Sequence, residues 1–256
     1  MSARAADGVW RGAVAATVVA TIAMNVVANA LPLFGRTTAA VSDAYPTPFT
    51  PAGYVFAIWG VIYLGLIVYS VWQFAPAGRS DPRVRAAAPW VIAAGVLNVA
   101  WLFAWHADRP VLATLPIVGL LIAVGGAYET LRAGPSRGGV RFAAQVPFGI
   151  YFGWLSVATI ANVAVAGTAL GWDGAPLTPE AWTGVLVVIA TGLGIRMLQA
   201  RGEWAFALVL IWAFVGIAVA VGLPSGVAFV AAIASALLAG GVAGRALRRG
   251  GGPAGR

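Results

Sequence analysis

Long apolar runs, separated by short breaks of charged residues, glycine or proline, follow one another along the chain. These runs predict eight helices, at about 12–33, 54–75, 88–106, 110–131, 141–166, 181–200, 203–222 and 225–244. Each run is close to the roughly 20 residues that an α-helix needs to cross the hydrocarbon core of a bilayer. The pattern therefore predicts an all-α fold, a polytopic membrane helical bundle with about eight transmembrane helices.

The first predicted helix carries polar side chains at a spacing of four: Thr17, Thr21, Asn25 and Asn29. This spacing places them on one face of a helix. Asparagine inside a bilayer is costly without a partner, so we expect this face to point into the bundle. The same segment is also similar to a signal peptide, with 28–30 as a candidate cleavage site. We favour a retained helix because of its polar face.

Aromatic and amide side chains gather on three other helices. They are Trp59 and Tyr63 on the second, Asn98 and Trp101 on the third, and Tyr151, Trp154 and Asn162 on the fifth. With the polar face of the first helix, these faces could enclose a cavity with aromatic walls, which suits a large, flat, mostly apolar ligand. The alternative is plain packing, with the two asparagines tying helices together by hydrogen bonds.

The composition supports a membrane protein and excludes several kinds of chemistry. Hydrophobic residues make up 61% of the chain and charged residues 9%, against about 25% charged in soluble domains. The chain has no cysteine, which excludes disulfides and thiolate catalysis, and His106 is the single histidine, which argues against a histidine metal centre. It has no lysine, which excludes a Schiff base with a retinal-type pigment. No ionisable side chain is expected at mid-span, which argues against a proton-coupled carrier.

The arginines predict the orientation of the chain in the membrane. Fourteen of the sixteen fall in loops or ends on one side of the eight predicted helices, and only Arg36 and Arg109 fall on the other. Because positive residues concentrate in cytoplasmic loops, both termini are expected in the cytoplasm. The arginines form no continuous basic face, so we expect no nucleic-acid partner despite the net charge of +8. Using only arginine is typical of a GC-rich bacterial genome, and we expect a multi-pass protein of the bacterial cytoplasmic (inner) membrane.

Three motifs carry a resemblance to a known family. The stretch 48–53, PFTPAG, which runs on through Tyr54 and Phe56, resembles the signature of the TspO/MBR family. These are tryptophan-rich sensory proteins, related to the translocator protein or peripheral benzodiazepine receptor. The family's Trp-x-x-x-Tyr, Asn-x-x-Trp and Tyr-x-x-Trp motifs, the last followed by an asparagine, are matched by Trp59 and Tyr63, by Asn98 and Trp101, and by Tyr151, Trp154 and Asn162.

The resemblance covers about residues 10–168, or five helices. The chain departs from the family where paired prolines are replaced by Pro51 and Ala52, and in its three further helices. It therefore resembles a longer, divergent member, with a TspO-like five-helix ligand-binding bundle at 1–168. Residues 169–256 would add three transmembrane helices and a short basic cytoplasmic tail. Gly240 and Gly244 in the last helix form a weak GxxxG pattern, which permits close helix approach.

The resemblance implies a cavity that binds tetrapyrroles such as protoporphyrin IX, with the first interhelical loop as a lid. The implied ligand-binding residues are Trp59, Tyr63, Asn98, Trp101, Tyr151, Trp154, Asn162 and Pro51. We therefore expect a membrane binding protein, a sensor or carrier for a flat hydrophobic ligand. The alternatives are a membrane enzyme that promotes porphyrin breakdown in light, and a transporter of small hydrophobic molecules.

The residues suggest no conventional catalytic set, because no acidic pair lies within a span and no Ser-His pairing can be placed. We expect neither a metal nor a required cofactor, although a tetrapyrrole or a lipid could be bound. The expected partners are membrane lipids and a hydrophobic small molecule, and the sequence leaves a homodimer open.

Overall fold

The computed structural model describes residues 3–134 and 138–250, and within these ranges it contains helices and no β-strand. The eight long helices are α1 (Ala3–Ala30), α2 (Ile58–Trp72), α3 (Pro82–His106), α4 (Pro110–Arg132), α5 (Val146–Ala169), α6 (Pro179–Arg196), α7 (Trp204–Val221) and α8 (Gly226–Gly250). Arg137 and the last residues of the predicted basic tail, 251–256 with Arg256, lie outside the described residues.

Each of the eight helical segments is long and apolar enough to cross a membrane. Three of these segments include an adjoining turn: the 3-10 turn Gly53–Ala57 before α2, the π-helical turn Arg141–Gln145 before α5, and the π-helical turn Met197–Arg201 after α6. This confirms the predicted all-α polytopic membrane fold with eight spans.

Shorter elements occupy two of the connections. Between α1 and α2 lie the 3-10 turn Leu33–Gly35 and the short helix Thr38–Asp43, and between α2 and α3 lies the short helix Pro76–Ser80. The connection from α1 to α2 is therefore folded.

The third span begins at Pro82, earlier than the predicted residue 88. Asp81 is its N-cap, with its carboxylate accepting a hydrogen bond of 3.0 Å from the backbone nitrogen of Arg83. Proline at the first position of a helix costs no hydrogen bond, because that N–H has no partner within the helix. The hydrophobic pattern missed this first turn because its residues are charged or small.

The chain forms two compact units. The first contains α1 to α5, and the second contains α6 to α8 together with the segment Thr47–Val55 from the connection between α1 and α2. The domain boundary at residue 168 stays a prediction. Within the second unit, the backbone nitrogen of Ala52 donates to the carbonyl of Gly216 on α7 over 3.0 Å.

In the first unit, glycines allow helices to approach closely. A Cβ on Gly95 of α3 would collide with the Thr17 side chain and lie 2.9 Å from Oγ1 of Thr21, both on α1. A Cβ on Gly65 of α2 would lie 2.9 Å from Cβ of Pro147 on α5. Helix association in lipid depends on such close packing.

Glycine has the same role in the second unit, but at other positions than predicted. A Cβ on Gly194 of α6 would lie 2.7 Å from Leu210 and 2.8 Å from Leu238. By contrast, a Cβ on Gly240 or Gly244 would meet no atom of the described residues within 4 Å, so the predicted close contact at this pair is wrong. A Cβ on the neighbouring Gly241 would instead lie 3.2 Å from Cδ1 of Leu198.

In the first unit, the buried side chain of Arg11 donates hydrogen bonds to carbonyl groups at and after the C-terminal end of α2. Nη1 of Arg11 donates to the carbonyls of Gln73 at 2.6 Å and Gly78 at 3.3 Å, and Nη2 donates to that of Arg79 at 3.2 Å. Nε pairs with Asp7 at 2.7 Å. The last carbonyls of a helix lack partners within it and carry partial negative charge, which a guanidinium satisfies. Arg11 therefore joins α1 to the α2–α3 connection.

Candidate functional site

Four aromatic rings surround Trp59, near the start of α2. Tyr63 and Trp101 are stacked on it, with ring centroids at 5.7 and 5.8 Å and interplanar angles of 23° and 28°. Tyr151 and Trp154 meet it edge to face at 6.0 and 6.2 Å. These are the favoured geometries and distances of aromatic pairs. The structure thus brings together five of the eight predicted site residues, from α2, α3 and α5.

Two further rings extend this aromatic cluster. Trp105, one turn after Trp101 on α3, stacks on it at 5.8 Å, and Phe56 meets Trp154 edge to face at 6.1 Å. The indoles of Trp105, Trp101, Trp59 and Trp154 therefore form a continuous row of contacting rings.

The tryptophans of the cluster are buried, and two of their polar atoms have no partner among the residues that the structure describes. Trp59, Trp101 and Trp154 are 9%, 4% and 2% exposed. The indole nitrogens of Trp101 and Trp154 find no acceptor among the described residues. A buried N–H without an acceptor costs about 1–3 kcal/mol, so two such groups in one cluster mark a place where acceptor atoms would be stabilised.

Polar side chains form a chain of hydrogen bonds beside the rings. Nδ2 of Asn25 on α1 donates to Oδ1 of Asn98 on α3 over 2.8 Å, and Nδ2 of Asn98 donates to the hydroxyl of Tyr151 on α5 over 3.1 Å. Asn98 is fully buried. It therefore ties three helices together and orients Tyr151 against Trp59. This arrangement also turns the polar face of α1 towards α3.

A second polar group ties the connection after α1 to the end of α3. Thr38 contacts Nε2 of His106 through its hydroxyl at 3.0 Å and accepts a hydrogen bond of 3.0 Å from Nε1 of Trp105 at its carbonyl. Oδ1 of Asn29 accepts a hydrogen bond of 3.3 Å from the backbone nitrogen of Thr38. The single histidine therefore belongs to a structural contact in this group.

Asp108, in the turn between α3 and α4, also contacts the connection between α1 and α2. Its carboxylate accepts a hydrogen bond of 3.0 Å from the hydroxyl of Tyr45 and pairs with Arg36 at 3.2 Å. The hydrogen bond to Asp108 raises the pKa of Tyr45, because loss of the phenolic proton would break it beside a carboxylate. Residues 33–46 are thus bound to the C-terminal end of α3.

Asn162 and Pro51 lie apart from the ring contacts. Oδ1 of Asn162 accepts a hydrogen bond of 3.2 Å from the hydroxyl of Thr114, which joins α5 to α4, in line with the helix-tying alternative. Asn162 is eight positions after Trp154, or about 12 Å along the helix. Pro51 belongs to the segment Thr47–Val55 of the second unit.

A small cavity lies among α1, α2, α3 and α5, the helices for which a cavity was predicted. Its lining includes Thr17, Thr21, Leu66, Gly95 and Tyr151, and its space suits about one water molecule. Ligand pockets usually measure about 300–1,000 Å³. In this structure the aromatic rings contact one another, so a large ligand would enter only if they separate.

Sequence reasoning missed the residues of α7 that hold the segment Thr47–Val55. Nε1 of Trp212 donates to the carbonyl of Val55 over 3.0 Å, and Gly216 accepts from Ala52. A signal was present, since Trp212 lies near the middle of an otherwise mostly aliphatic span, where a tryptophan does not serve as an interfacial anchor.

The fold and the cluster define a multi-pass helical membrane protein with a buried aromatic centre. A family model described as TSPO-like protein matches residues 11–244. The chain belongs to this family, which confirms the resemblance seen in its motifs. The match runs beyond residue 168, where the resemblance ended, through α6 and α7 and into α8. No curated protein and no solved structure matches the chain significantly.

Proposed function

We propose that this membrane protein binds a flat hydrophobic ligand, as a sensor or carrier, in the aromatic cluster around Trp59. A tetrapyrrole such as protoporphyrin IX is the proposed ligand class, in line with the family's motifs. The observation that carries the proposal is the joint presence of stacked rings and two unpartnered indole N–H groups in one buried cluster.

The geometry of the rings favours a flat ligand. The centroids of Trp59 and Trp101 are 5.8 Å apart in a stacked pair. A flat molecule held between two rings needs about 7 Å, because each face contact takes at least about 3.5 Å. Because the two rings already contact each other, they must move apart by about 3.5 Å, the thickness of one ring, to admit a planar ring system, which then replaces the lost ring contact on both faces.

The unpartnered indoles favour a ligand that carries acceptor atoms. Indole Nε1 is a donor only, and burial without an acceptor is costly. Carboxylate or carbonyl oxygens on a ligand would satisfy Trp101 and Trp154. Protoporphyrin IX combines a flat ring system with two carboxylates, whereas a flat hydrocarbon offers no acceptor and is expected to bind more weakly.

Titration of the purified protein with protoporphyrin IX tests the proposal through quenching of tryptophan fluorescence. Stacking contributes about 0.5–1.5 kcal/mol beyond area burial, and its complete loss would weaken binding by about 2- to 13-fold. Trp59→Phe and Trp154→Phe should each weaken binding within this range. Phenylalanine retains part of the stacking, which makes this an upper range. Trp172→Phe is the matched control, because Trp172 is 51% exposed and belongs to the second unit. Equal affinity in all three variants would contradict the proposed site.

The row of contacting indoles favours a second candidate, the light-dependent breakdown of a bound porphyrin. Breakdown of a porphyrin is an oxidation, and the proposed oxidant is dioxygen, with the light-excited ligand as the activated species. This photochemistry needs no acid–base pair or metal, and a row of rings from Trp105 to Trp154 offers several indoles to the excited ligand. Loss of porphyrin absorbance under illumination but not in darkness would support this enzyme activity. Stable absorbance both in light and in darkness would contradict porphyrin breakdown and would be consistent with binding only.

We further propose that the protein lies in the bacterial inner membrane with both termini in the cytoplasm. The support is the distribution of arginine, with fourteen residues on the proposed cytoplasmic side of the eight spans and two on the other.

A further inference from the structure

The segment Thr47–Val55 is docked on α7 by two hydrogen bonds. The backbone nitrogen of Ala52 donates to the carbonyl of Gly216 over 3.0 Å, and Nε1 of Trp212 donates to the carbonyl of Val55 over 3.0 Å. The ring of Tyr54 meets that of Trp212 edge to face at 5.3 Å. A loop backbone is thus bound to a transmembrane helix at two positions one turn apart.

The docking depends on the absence of a side chain at Gly216. A Cβ there would collide with the side chain of Val55 and lie 3.3 Å from Cβ of Pro51. Val55 is fully buried and Phe49 is 1% exposed, so the segment packs through its apolar side chains. Thr50 closes a turn on Thr47, with a backbone hydrogen bond of 3.0 Å. The segment therefore has a defined shape that fits α7.

Val55 connects this docked segment directly to the aromatic cluster. It lies within the 3-10 turn Gly53–Ala57, which runs without a break into α2. The next residue, Phe56, contacts Trp154, and Trp59 at the centre of the cluster follows within one turn. The carbonyl of Val55 and the nitrogen of Phe56 belong to one peptide group, so a hydrogen bond to that carbonyl restricts the backbone that leads into α2.

We propose that Trp212 is a positioning residue for the aromatic site, acting along the chain through Val55 on Phe56 and Trp59. The ligand part of this inference rests on the proposed function. The hydrogen bond from Trp212 to the carbonyl of Val55 restricts the start of α2, and the rings stacked around Trp59 stay ordered. When the hydrogen bond is lost, the start of α2 opens more often and the site loses part of its preorganisation.

The test compares Trp212→Phe with Trp182→Phe in the full-length protein. Both tryptophans belong to the second unit and both donate from Nε1 to a backbone carbonyl, Trp182 to that of Gly174 over 2.7 Å. Each variant keeps an aromatic ring and loses one indole–carbonyl hydrogen bond. Of these two tryptophans, only Trp212 bonds the segment that leads into α2. If the role of Trp212 is merely structural, both variants should give the same result.

The first measurement is hydrogen–deuterium exchange of the amides at 52–60, without ligand. Because one hydrogen bond changes an opening equilibrium by about 2- to 13-fold, Trp212→Phe should speed exchange there by about that factor. Trp182→Phe should leave it unchanged. Exchange at 56–60 that is unaltered in Trp212→Phe, or equally raised in both variants, overturns the proposal.

The second measurement is affinity for protoporphyrin IX. Trp212→Phe should weaken binding more than Trp182→Phe, and equal affinities would overturn the positioning role in ligand binding. Absence of binding in the wild-type protein contradicts the proposed function, and exchange at 56–60 then decides by itself whether Trp212 positions the cluster. If Trp212→Phe fails to fold, Gly216→Ala replaces it, since the added methyl displaces Val55 by another route.

Discussion

The side chains of Asn25 and Asn98 are joined by a hydrogen bond of 2.8 Å between α1 and α3, and both residues are buried. Asn25 Nδ2 also donates to the carbonyl of Thr21 over 2.8 Å, and Asn98 passes the contact on to Tyr151. Within a bilayer, where water cannot replace a lost partner, this pair links the first helix to the aromatic cluster.

We expect a double-mutant cycle with Asn25→Leu and Asn98→Leu to show coupling between the two residues. Hydrogen bonds between transmembrane helices contribute about 0.6–1.7 kcal/mol in such cycles. Each single variant leaves a buried partner unsatisfied, so the double variant should be less destabilised than the sum of the singles. Unfolding by denaturant in mixed micelles measures these free energies. Strictly additive effects would show that the contact contributes little.

Gly95 should tolerate no side chain, because α1 lies against it. In Gly95→Ala the methyl group would overlap the Thr17 side chain and press on Thr21, and overpacking of this kind costs about 1–3 kcal/mol. Gly60→Ala on α2 is the control, since a Cβ there meets no atom of the described residues within 4 Å. We expect Gly95→Ala to lower the thermal midpoint in detergent, and Gly60→Ala to leave it unchanged or to raise it, as alanine favours helix over glycine. A thermal midpoint of Gly95→Ala equal to that of the wild-type protein would show that α1 can move away from α3 to make room for the methyl group.

Asp81 should make the free energy of unfolding depend on pH at acidic pH values. Its pKa is lowered, mainly because its carboxylate accepts hydrogen bonds from the Arg83 side chain, at 2.7 to 3.2 Å. A group whose pKa is lower in the folded state contributes stability that is fully present above its unfolded pKa, about 3.9, and is lost as the pH falls through the folded value.

Replacement of Asp81 by asparagine should therefore flatten the fall in stability below about pH 5. Asparagine still caps a helix, so Asp81→Asn removes the charge and keeps the hydrogen bond to the backbone nitrogen of Arg83. Thermal midpoints between pH 7 and pH 3 measure the effect, with Asp43→Asn as a control for the loss of one carboxylate. A slope in Asp81→Asn that matches the wild-type slope would show that the Asp81–Arg83 pair does not contribute.

The proposed orientation can be tested with single cysteines, because the natural chain has none. Asp173→Cys lies in the exposed connection between α5 and α6, and Ser80→Cys lies in the exposed connection between α2 and α3. We expect a membrane-impermeant maleimide to label Asp173→Cys on intact bacterial cells, and Ser80→Cys only after the cells are permeabilised. Labelling in the reverse order would invert the proposed topology.

The hydrophobic pattern determined the eight spans, because crossing a bilayer requires long apolar helices whose backbone groups bond to one another. The same pattern placed Trp59, Trp101 and Trp154 on inward faces, since helical spacing gathers them on one side. It could not place the first turn of α3, where Asp81 and Pro82 start the helix by capping. It also pointed to Gly240 and Gly244, whereas the close contacts lie at Gly194 and Gly241, because spacing alone does not tell which face of a helix meets a neighbour.

The sequence by itself thus determined the fold class and the number of spans, and it named aromatic residues on α2, α3 and α5 as candidates for one site. Only the tertiary structure decided that these rings stack on one another, and that Asn25, Asn98 and Tyr151 form one hydrogen-bonded chain. It alone decided that Ala52 and Val55 are hydrogen-bonded to Gly216 and Trp212, far away in the sequence. The physical reason is that periodicity is a local property of one helix, whereas a contact between helices depends on their relative rotation and separation, which packing of the whole unit sets.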